Sequence, residues 1–269
     1  MSKIDVCKKC KKKKFDLKQG IICGLTDKKP TFENSCPDFD SDESIKEIEE
    51  LKGMSLKPNE QRSKTVLALI WTVLILEVFS LVSSGLQYNL LRIASAGGEI
   101  SYEAANVNDL REQVIAIIYF IAYVVSGITF IMWFRRAYFN LHQKVNHLSF
   151  KEERAAGCWF IPFANLYQPY QIMKELYTET KKYLLNEDNL IRFELTTNLL
   201  GFWWTLWIAN GIIGQIIFRI SKNADTLPEL ITTTTLSIIS SVIGIGLAFV
   251  TIRVIKDYSK VEVLLINPE

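Results

Sequence analysis

Cys7, Cys10, Cys23 and Cys36 follow one another as C-x2-C-x12-C-x12-C. Four thiolates so spaced can close a tetrahedral zinc site, and Cys7-Lys-Lys-Cys10 lets one backbone turn offer two sulfurs to one ion. A second C-x2-C pair, the strongest form of the pattern, is missing. Gly20 and Gly24 flank Cys23 and Pro37 follows Cys36, which is the turn chemistry of a metal-bound loop. Lysines at 8, 9 and 11–14 would offset the negative charge of a zinc tetrathiolate and favour the thiolate form. A segment of about 40 residues has too little core to fold alone, so a metal would account for its folding. Four sulfurs leave no open position on zinc, so such a site is structural rather than catalytic. Unliganded cysteines on a loose tail, or a redox or iron–sulfur role, are the other readings.

Glu77 is the one acid inside an apolar run. An ionisable group within a membrane span costs roughly 2.5–3.5 kcal/mol on insertion scales, so it has a partner or a task. Asn210, Gln215 and the threonines of the fourth apolar run are its candidate partners. The set reads either as a proton or cation site or as a hydrogen-bonded structural glutamate. His142 and His147 are five apart, share no helical face well, and read as surface residues. Cys158 reads as packing. No Ser/His/Asp grouping, phosphate-cradling glycine loop or HExxH motif occurs, and the chain has only 2 histidines, so no residue set argues for an enzyme.

Four apolar runs must position these groups: 66–86, 114–134, 199–218 and 230–252. Each reaches the roughly 20 residues that a bilayer crossing needs. Hydrophobic residues make up an ordinary 49% of the chain, so the signal lies in their clustering. No apolar h-region follows the basic amino terminus, so no cleavable signal peptide is expected. Lysine and arginine gather before run one, after run two, before run three and after run four, whereas the loop between runs one and two has only Arg92 and Arg111. Both termini and the segment 135–198 are therefore expected in the cytoplasm. The expected fold class is an all-α membrane protein with four transmembrane helices and a cytoplasmic re-entrant or amphipathic segment, preceded by a small zinc-ribbon-like module.

The domain plan is a cytosolic module at 1–53, a linker at 54–64, a membrane domain at 65–258 and a cytoplasmic tail at 259–269. Residues 41–52 pattern as a short acidic helix closing the module. Residues 1–29 carry ten lysines and three aspartates, and residues 30–53 two lysines and eight acids, so the module is electrically two-sided. The Lys11–Lys14 run reads as solvated charge balancing the thiolates, with anionic lipid as the better active reading. Formal charges nearly balance over the chain, and no nucleic-acid partner is expected. Run four is rich in small and hydroxyl residues: Thr232 to Thr235, Ser237, Ser240, Ser241, Gly244 and Gly246. Ser237/Ser241 and Ser240/Gly244 have the spacing that lets helices approach closely.

In the central segment AAGCWFIPFA is apolar but too short to span, and Pro162 would break a helix there. After Pro169, Ile172, Met173, Leu176, Tyr177, Thr180, Tyr183 and Leu184 share one helical face, and Lys174, Glu175, Glu179, Lys181 and Lys182 the other. That helix is expected on the membrane surface or packed against the bundle. WFRRAYFNL at 133–141, GCWFIPFANLYQPYQIMKELY at 157–177 and FWWTLWIAN at 202–210 resemble the bacterial membrane family of the domain of unknown function 4328. The resemblance spans about residues 65–255 and implies a multi-span bacterial membrane protein without an assigned activity. It marks Arg135, Trp159, Pro162, Asn165, Pro169, Tyr170, Trp203, Trp204 and Trp207, with no role for any. Trp203, Trp204 and Trp207 are expected to favour the membrane interface, Pro162 and Pro169 to fix two bends, and Asn165 to bond the backbone they leave open.

Two functions remain open. One is a membrane-anchored interaction or regulatory protein of the inner membrane, its zinc-stapled cytosolic module engaging a cytosolic or membrane protein partner. The other is a small ion or solute transporter or channel, as a homo-oligomer, built on the polar residues of the bundle. Membrane lipid surrounds the chain in both.

Overall fold

Long apolar helices account for most of the structure, a computed structural model that describes residues 3–16, 20–32, 36–42, 56–187, 195–222 and 224–266. The chain forms two compact units, Met1–Leu56 and Lys57–Glu269.

In the first unit α1 (Lys3–Lys8) leads into a hairpin of β1 (Lys13–Asp16) and β2 (Gly20–Cys23), with Lys13 opposite Cys23 and Asp16 opposite Gly20. Gly20 opens β2 at φ +79°, a left-handed backbone that glycine adopts without a Cβ penalty. Gly24 lets the backbones meet: its N–H donates to Lys12 O at 2.7 Å, where a Cβ would collide. Beyond Cys36 the chain returns to Cys10. The Lys11 N–H donates to Asp40 O at 2.8 Å and the Asp42 N–H to Lys9 O at 2.9 Å. Lys13 pairs with Asp42 at 3.0 Å and Lys14 with Asp27 at 2.8 Å, so part of the lysine run is matched by acids. The helix expected over 41–52 falls on residues 43–52, which lie outside the described residues.

The second unit is an all-α membrane domain. Its helices α2 (Glu60–Ser95), α3 (Tyr102–Lys144), α6 (Asn198–Ser221) and α7 (Leu227–Ile266) are each long and apolar enough to cross a membrane. The chain is a multi-pass membrane protein. The helices contain the four apolar runs and overshoot them. At 43 residues α3 is about 65 Å long, against a hydrocarbon core of about 30 Å. An apolar run marks the lipid-facing part of a helix, not its ends. Thus α2 begins at Glu60, inside the stretch read as a linker, and α7 runs to Ile266, through the stretch read as a tail. Ser101 caps α3 by accepting from the Ala104 N–H at 3.1 Å.

Between α3 and α6 lie α4 (Arg154–Gly157), two 3-10 turns at Cys158–Phe160 and Ala164–Leu166, and α5 (Gln168–Glu187). Pro162 stands between the two turns, where no helix can continue. The Ala164 N–H donates to Pro162 O at 2.8 Å and holds Phe163 at φ +63°. A left-handed backbone costs a non-glycine residue about 1–3 kcal/mol, so the surrounding packing must enforce it. Ala155 and Cys158 are buried in the core, whereas Phe160 and Phe163 are 76% and 81% exposed.

The apolar face of α5 is buried against the bundle rather than laid on a surface. Ile172, Met173, Leu176, Tyr177, Thr180 and Leu184 are all buried. The Tyr177 hydroxyl donates to Val254 O at 2.6 Å, and Thr180 meets the Tyr258 hydroxyl at 3.3 Å. Glu179 departs from its expected exposed face: it is buried and paired with Lys182 at 2.6 Å and His147 at 3.0 Å. Burial raises its pKa, but those hydrogen bonds outweigh burial and hold the carboxyl below its ordinary range. Around α5 the core is dense, with Trp133, Phe134, Tyr138, Leu141, Leu200 and Ile255 fully buried. Along the outer faces of α2 and α3, Phe79, Val82, Ile117, Phe120 and Ile121 are exposed, the pattern of lipid-facing positions.

Candidate functional site

Glu77 lies on α2 and is 5% exposed. Three helices build its seat. From α3 the Tyr119 hydroxyl donates to the carboxyl at 2.6 Å. From α7 Ser241 hydrogen-bonds the same carboxyl, and Gly244 makes room for it, because a Cβ there would collide with Glu77. The small-residue stripe of α7 thus does more than permit close packing: one turn of it holds an acid.

A cavity of about 210 Å³ adjoins this carboxyl. Tyr119, Tyr123, Phe130, Trp159, Trp203 and Trp207 give it an aromatic wall, and Glu77 is the only ionisable carboxyl or basic group among its lining residues. Asn210 and Thr251 are its main further polar members. Ser240 donates to Asn210 Oδ1 at 2.8 Å. Thr251 accepts from Trp203 Nε1 at 3.0 Å and donates to Leu247 O at 2.7 Å. The indole N–H of Trp159 has no partner among the described residues.

Of the polar residues singled out with Glu77, Asn210 lines this cavity and Gln215 does not. Gln215 is exposed, because five residues along a helix rotate a side chain by about 140°. The threonines of α7 are not its partners either. Thr232, Thr233, Thr234, Thr235 and Ser237 donate to carbonyls of their own helix, one turn back. Tyr119 and Tyr123 carried no mark in the sequence, where they sit among apolar neighbours. Ser241 and Gly244 did carry one, in their spacing.

The family-motif aromatics assemble beside the cavity. Trp204 and Trp207 stack at 4.7 Å with an interplanar angle of 7°, and Trp159 meets them edge-on at 6.0 and 5.6 Å. Tyr170 stacks on Trp204 at 6.5 Å. Trp203 and Trp204 are buried, and Trp204 Nε1 donates to Leu166 O at 2.9 Å. Trp203, Trp204 and Trp207, expected to favour the membrane interface, pack into an aromatic cluster in which the rings find protein partners. Pro162 and Pro169 shape the segment that brings Trp159 and Tyr170 to α6, with Pro169 in the first turn of α5. It is the Asn165 backbone N–H, donating to Ile161 O at 3.0 Å, that closes the turn. Arg135 stands apart, paired with Glu152 at 3.3 Å. Cys158 is a packing thiol, and burial pushes its pKa up to about 11.

A second buried carboxyl, Glu262 on α7, is 3% exposed. It accepts from Asn59 Nδ2 at 3.1 and 3.0 Å and from Asn140 Nδ2 at 2.9 Å. Asn140 also exchanges bonds with the Lys57 backbone at 3.0 and 2.9 Å. This network ties the approach to α2, the end of α3 and the end of α7 together.

In the amino-terminal unit, Cys7, Cys10, Cys23 and Cys36 all line one small cavity. Backbone N–H groups of Leu25 and Thr26 donate to the Cys23 sulfur and hold its pKa below the usual thiol range. Burial, and then the sulfurs of Cys36, Cys10 and Cys23, push Cys7 the other way. Among the described residues no set of three or more His, Cys, Asp or Glu side chains stands at metal-holding geometry.

A family model described as a domain of unknown function (DUF4328) matches residues 96–260. The match takes in α3 to α7 up to Lys260 and stops short of Glu77, narrower than the resemblance from 65 suggested. No curated protein and no solved structure matches the chain.

Proposed function

This chain belongs to the DUF4328 family, and from that premise we propose that its helix bundle is a solute-binding site, the working part of a small transporter of the inner membrane. One observation carries the reading: a carboxyl buried among apolar helices opens onto an aromatic cavity and faces no basic side chain in its wall. An acid at such depth is costly, and here its neighbours are a cavity and two neutral hydroxyls rather than a counter-charge. The cavity exceeds the ~150 Å³ that admits a benzene ring in a dry protein core, so a small organic solute fits. Lysine and arginine placement supports both termini in the cytosol.

Gly127 supplies the test. It lines the cavity, and a Cβ built on it meets nothing within 4 Å, so a Gly127→Leu side chain starts into open space beside the wall. Detergent-purified protein would be screened by thermal shift against amines, amino acids, sugars and nucleobases. At least one class should stabilise the wild type and lose its effect on Gly127→Leu. Hits that persist unchanged in that variant, or no hits at all, sink the reading.

A second reading concerns the amino-terminal unit and rests on a separate observation, the four cysteines sharing one cavity. We infer that Cys7, Cys10, Cys23 and Cys36 hold a structural zinc ion. The N–H groups aimed at Cys23 suit a thiolate ligand, and nearby lysines offset its charge. The stapled unit then serves as a docking element for a cytosolic protein. Metal analysis should find about one zinc per chain, lost in Cys7→Ser/Cys10→Ser and released as pH falls and thiolates are protonated. Freely titratable thiols without zinc would remove the module. An unchanged set of co-purifying proteins after deletion of residues 1–53 would remove its docking role.

A further inference from the structure

The chemistry of the cavity wall narrows the solute class. Glu77 is an acid, and no Lys, Arg or His among the lining residues answers the charge it carries when ionised. An anion is therefore repelled. A neutral solute leaves the carboxyl facing an apolar space with only Tyr119 and Ser241 to satisfy it. A cation resolves the mismatch. An inorganic cation stripped of water wants about six oxygen ligands. This wall is mostly aromatic and aliphatic carbon, and its Asn210 and Thr251 oxygens already accept at 2.8 and 3.0 Å. Aromatic rings are instead the recognised partners of organic ammonium ions, whose weakly hydrated charge spreads over methyl or methylene groups. Tyr119 and Tyr123 stack at 5.9 Å beside the acid, and Trp159, Trp203, Trp207 and Phe130 complete the wall.

We propose, resting on the solute-site reading above, that the solute is a small organic ammonium ion, its charge set against Glu77 and its alkyl groups against the aromatic wall. The source is a free amine or a lipid headgroup of the same chemistry.

The experiment measures binding of tetramethylammonium, choline and benzyltrimethylammonium to the full-length protein by calorimetry. The neutral isostere of choline, 3,3-dimethylbutan-1-ol, is the control. At least one ammonium should bind the wild type about a hundredfold more tightly than the alcohol binds, and Glu77→Gln should remove that advantage. Glu77→Gln tests the charge alone, so Tyr123→Leu is the second variant and tests the aromatic wall. It should weaken the ammonium about tenfold and leave the alcohol unchanged. The class is overturned if the alcohol binds as tightly as choline, or if Glu77→Gln keeps ammonium affinity. It is also overturned if no ammonium binds while a neutral or anionic solute does so in a Gly127→Leu-sensitive way, and then the site itself stands. If no solute of any class is sensitive to Gly127→Leu, the site reading has failed together with the inference. Repeating the measurement in phosphatidylglycerol and phosphatidylcholine nanodiscs separates the sources. Equal choline affinity in both assigns a free ammonium, and loss in phosphatidylcholine assigns the headgroup.

Discussion

Two glutamates are buried in the same helix bundle, and they are held in opposite ways. Glu262 accepts three amide hydrogen bonds from Asn59 and Asn140, and it lines none of the cavities described. Glu77 is nearly as buried, but its donors are two hydroxyls and one side of it borders open space. Buried polar groups are normally satisfied by directional partners, and Glu262 follows that rule. Its network joins residues 59, 140 and 262, far apart in the chain, so it fastens helix ends. Glu77 joins α2 to α3 and α7 as well, yet its seat leaves room for something more. Burial alone does not mark a site. Burial beside a cavity whose wall offers no counter-charge does.

The strongest way to break this comparison is to remove each carboxyl. Glu262→Leu strands the Asn59 and Asn140 amides, and a buried donor left unmade costs about 1–3 kcal/mol. The bundle should lose about 3 kcal/mol of stability, read as a lowered thermal midpoint in detergent. Glu77→Met, unbranched and of similar length, should move stability by no more than about 1 kcal/mol, because Tyr119 borders a cavity that can hydrate its hydroxyl. Solute-dependent stabilisation should vanish in this second variant. Equal destabilisation by both changes would make Glu77 a second fastener and dissolve the contrast.

Much of this was legible in the sequence, and the illegible part has a physical pattern. Apolar length exposed the four spans, because lipid demands it of every crossing helix. Their ends stayed hidden, because water-exposed turns need no apolar run. The tail reading of 259–269 missed that Ile252, Ile255, Tyr258, Val261 and Leu265 continue one helical face beyond the last span, all of them buried. That spacing was the available signal for Glu262. Glu77 was conspicuous as a lone acid, but its partners were not. Asn210 reaches the same cavity, Gln215 rotates away, and the threonines of α7 satisfy themselves within their helix. Tyr119 is a residue type that apolar runs contain routinely, and only the packing of α2 against α3 makes it a donor. The four cysteines stood out by their spacing, and they line one small cavity.

The smallest change sharpens the comparison most. Glu262→Gln keeps an acceptor for the Asn59 and Asn140 amides, and Asn59 Oδ1, unpartnered among the described residues, can receive the new NH2. The fastener needs an acceptor rather than a charge, so stability should move by less than about 1 kcal/mol, and solute binding should be untouched. Glu77→Gln is equally conservative in shape and should also spare the fold. There, however, the charge is the point, and ammonium binding should be lost. A Glu262→Gln protein that unfolds several kcal/mol earlier would mean that the far end of the bundle holds an ionised carboxylate for its charge. Arg136, whose positive charge acts on Glu262, would then be the residue to substitute next.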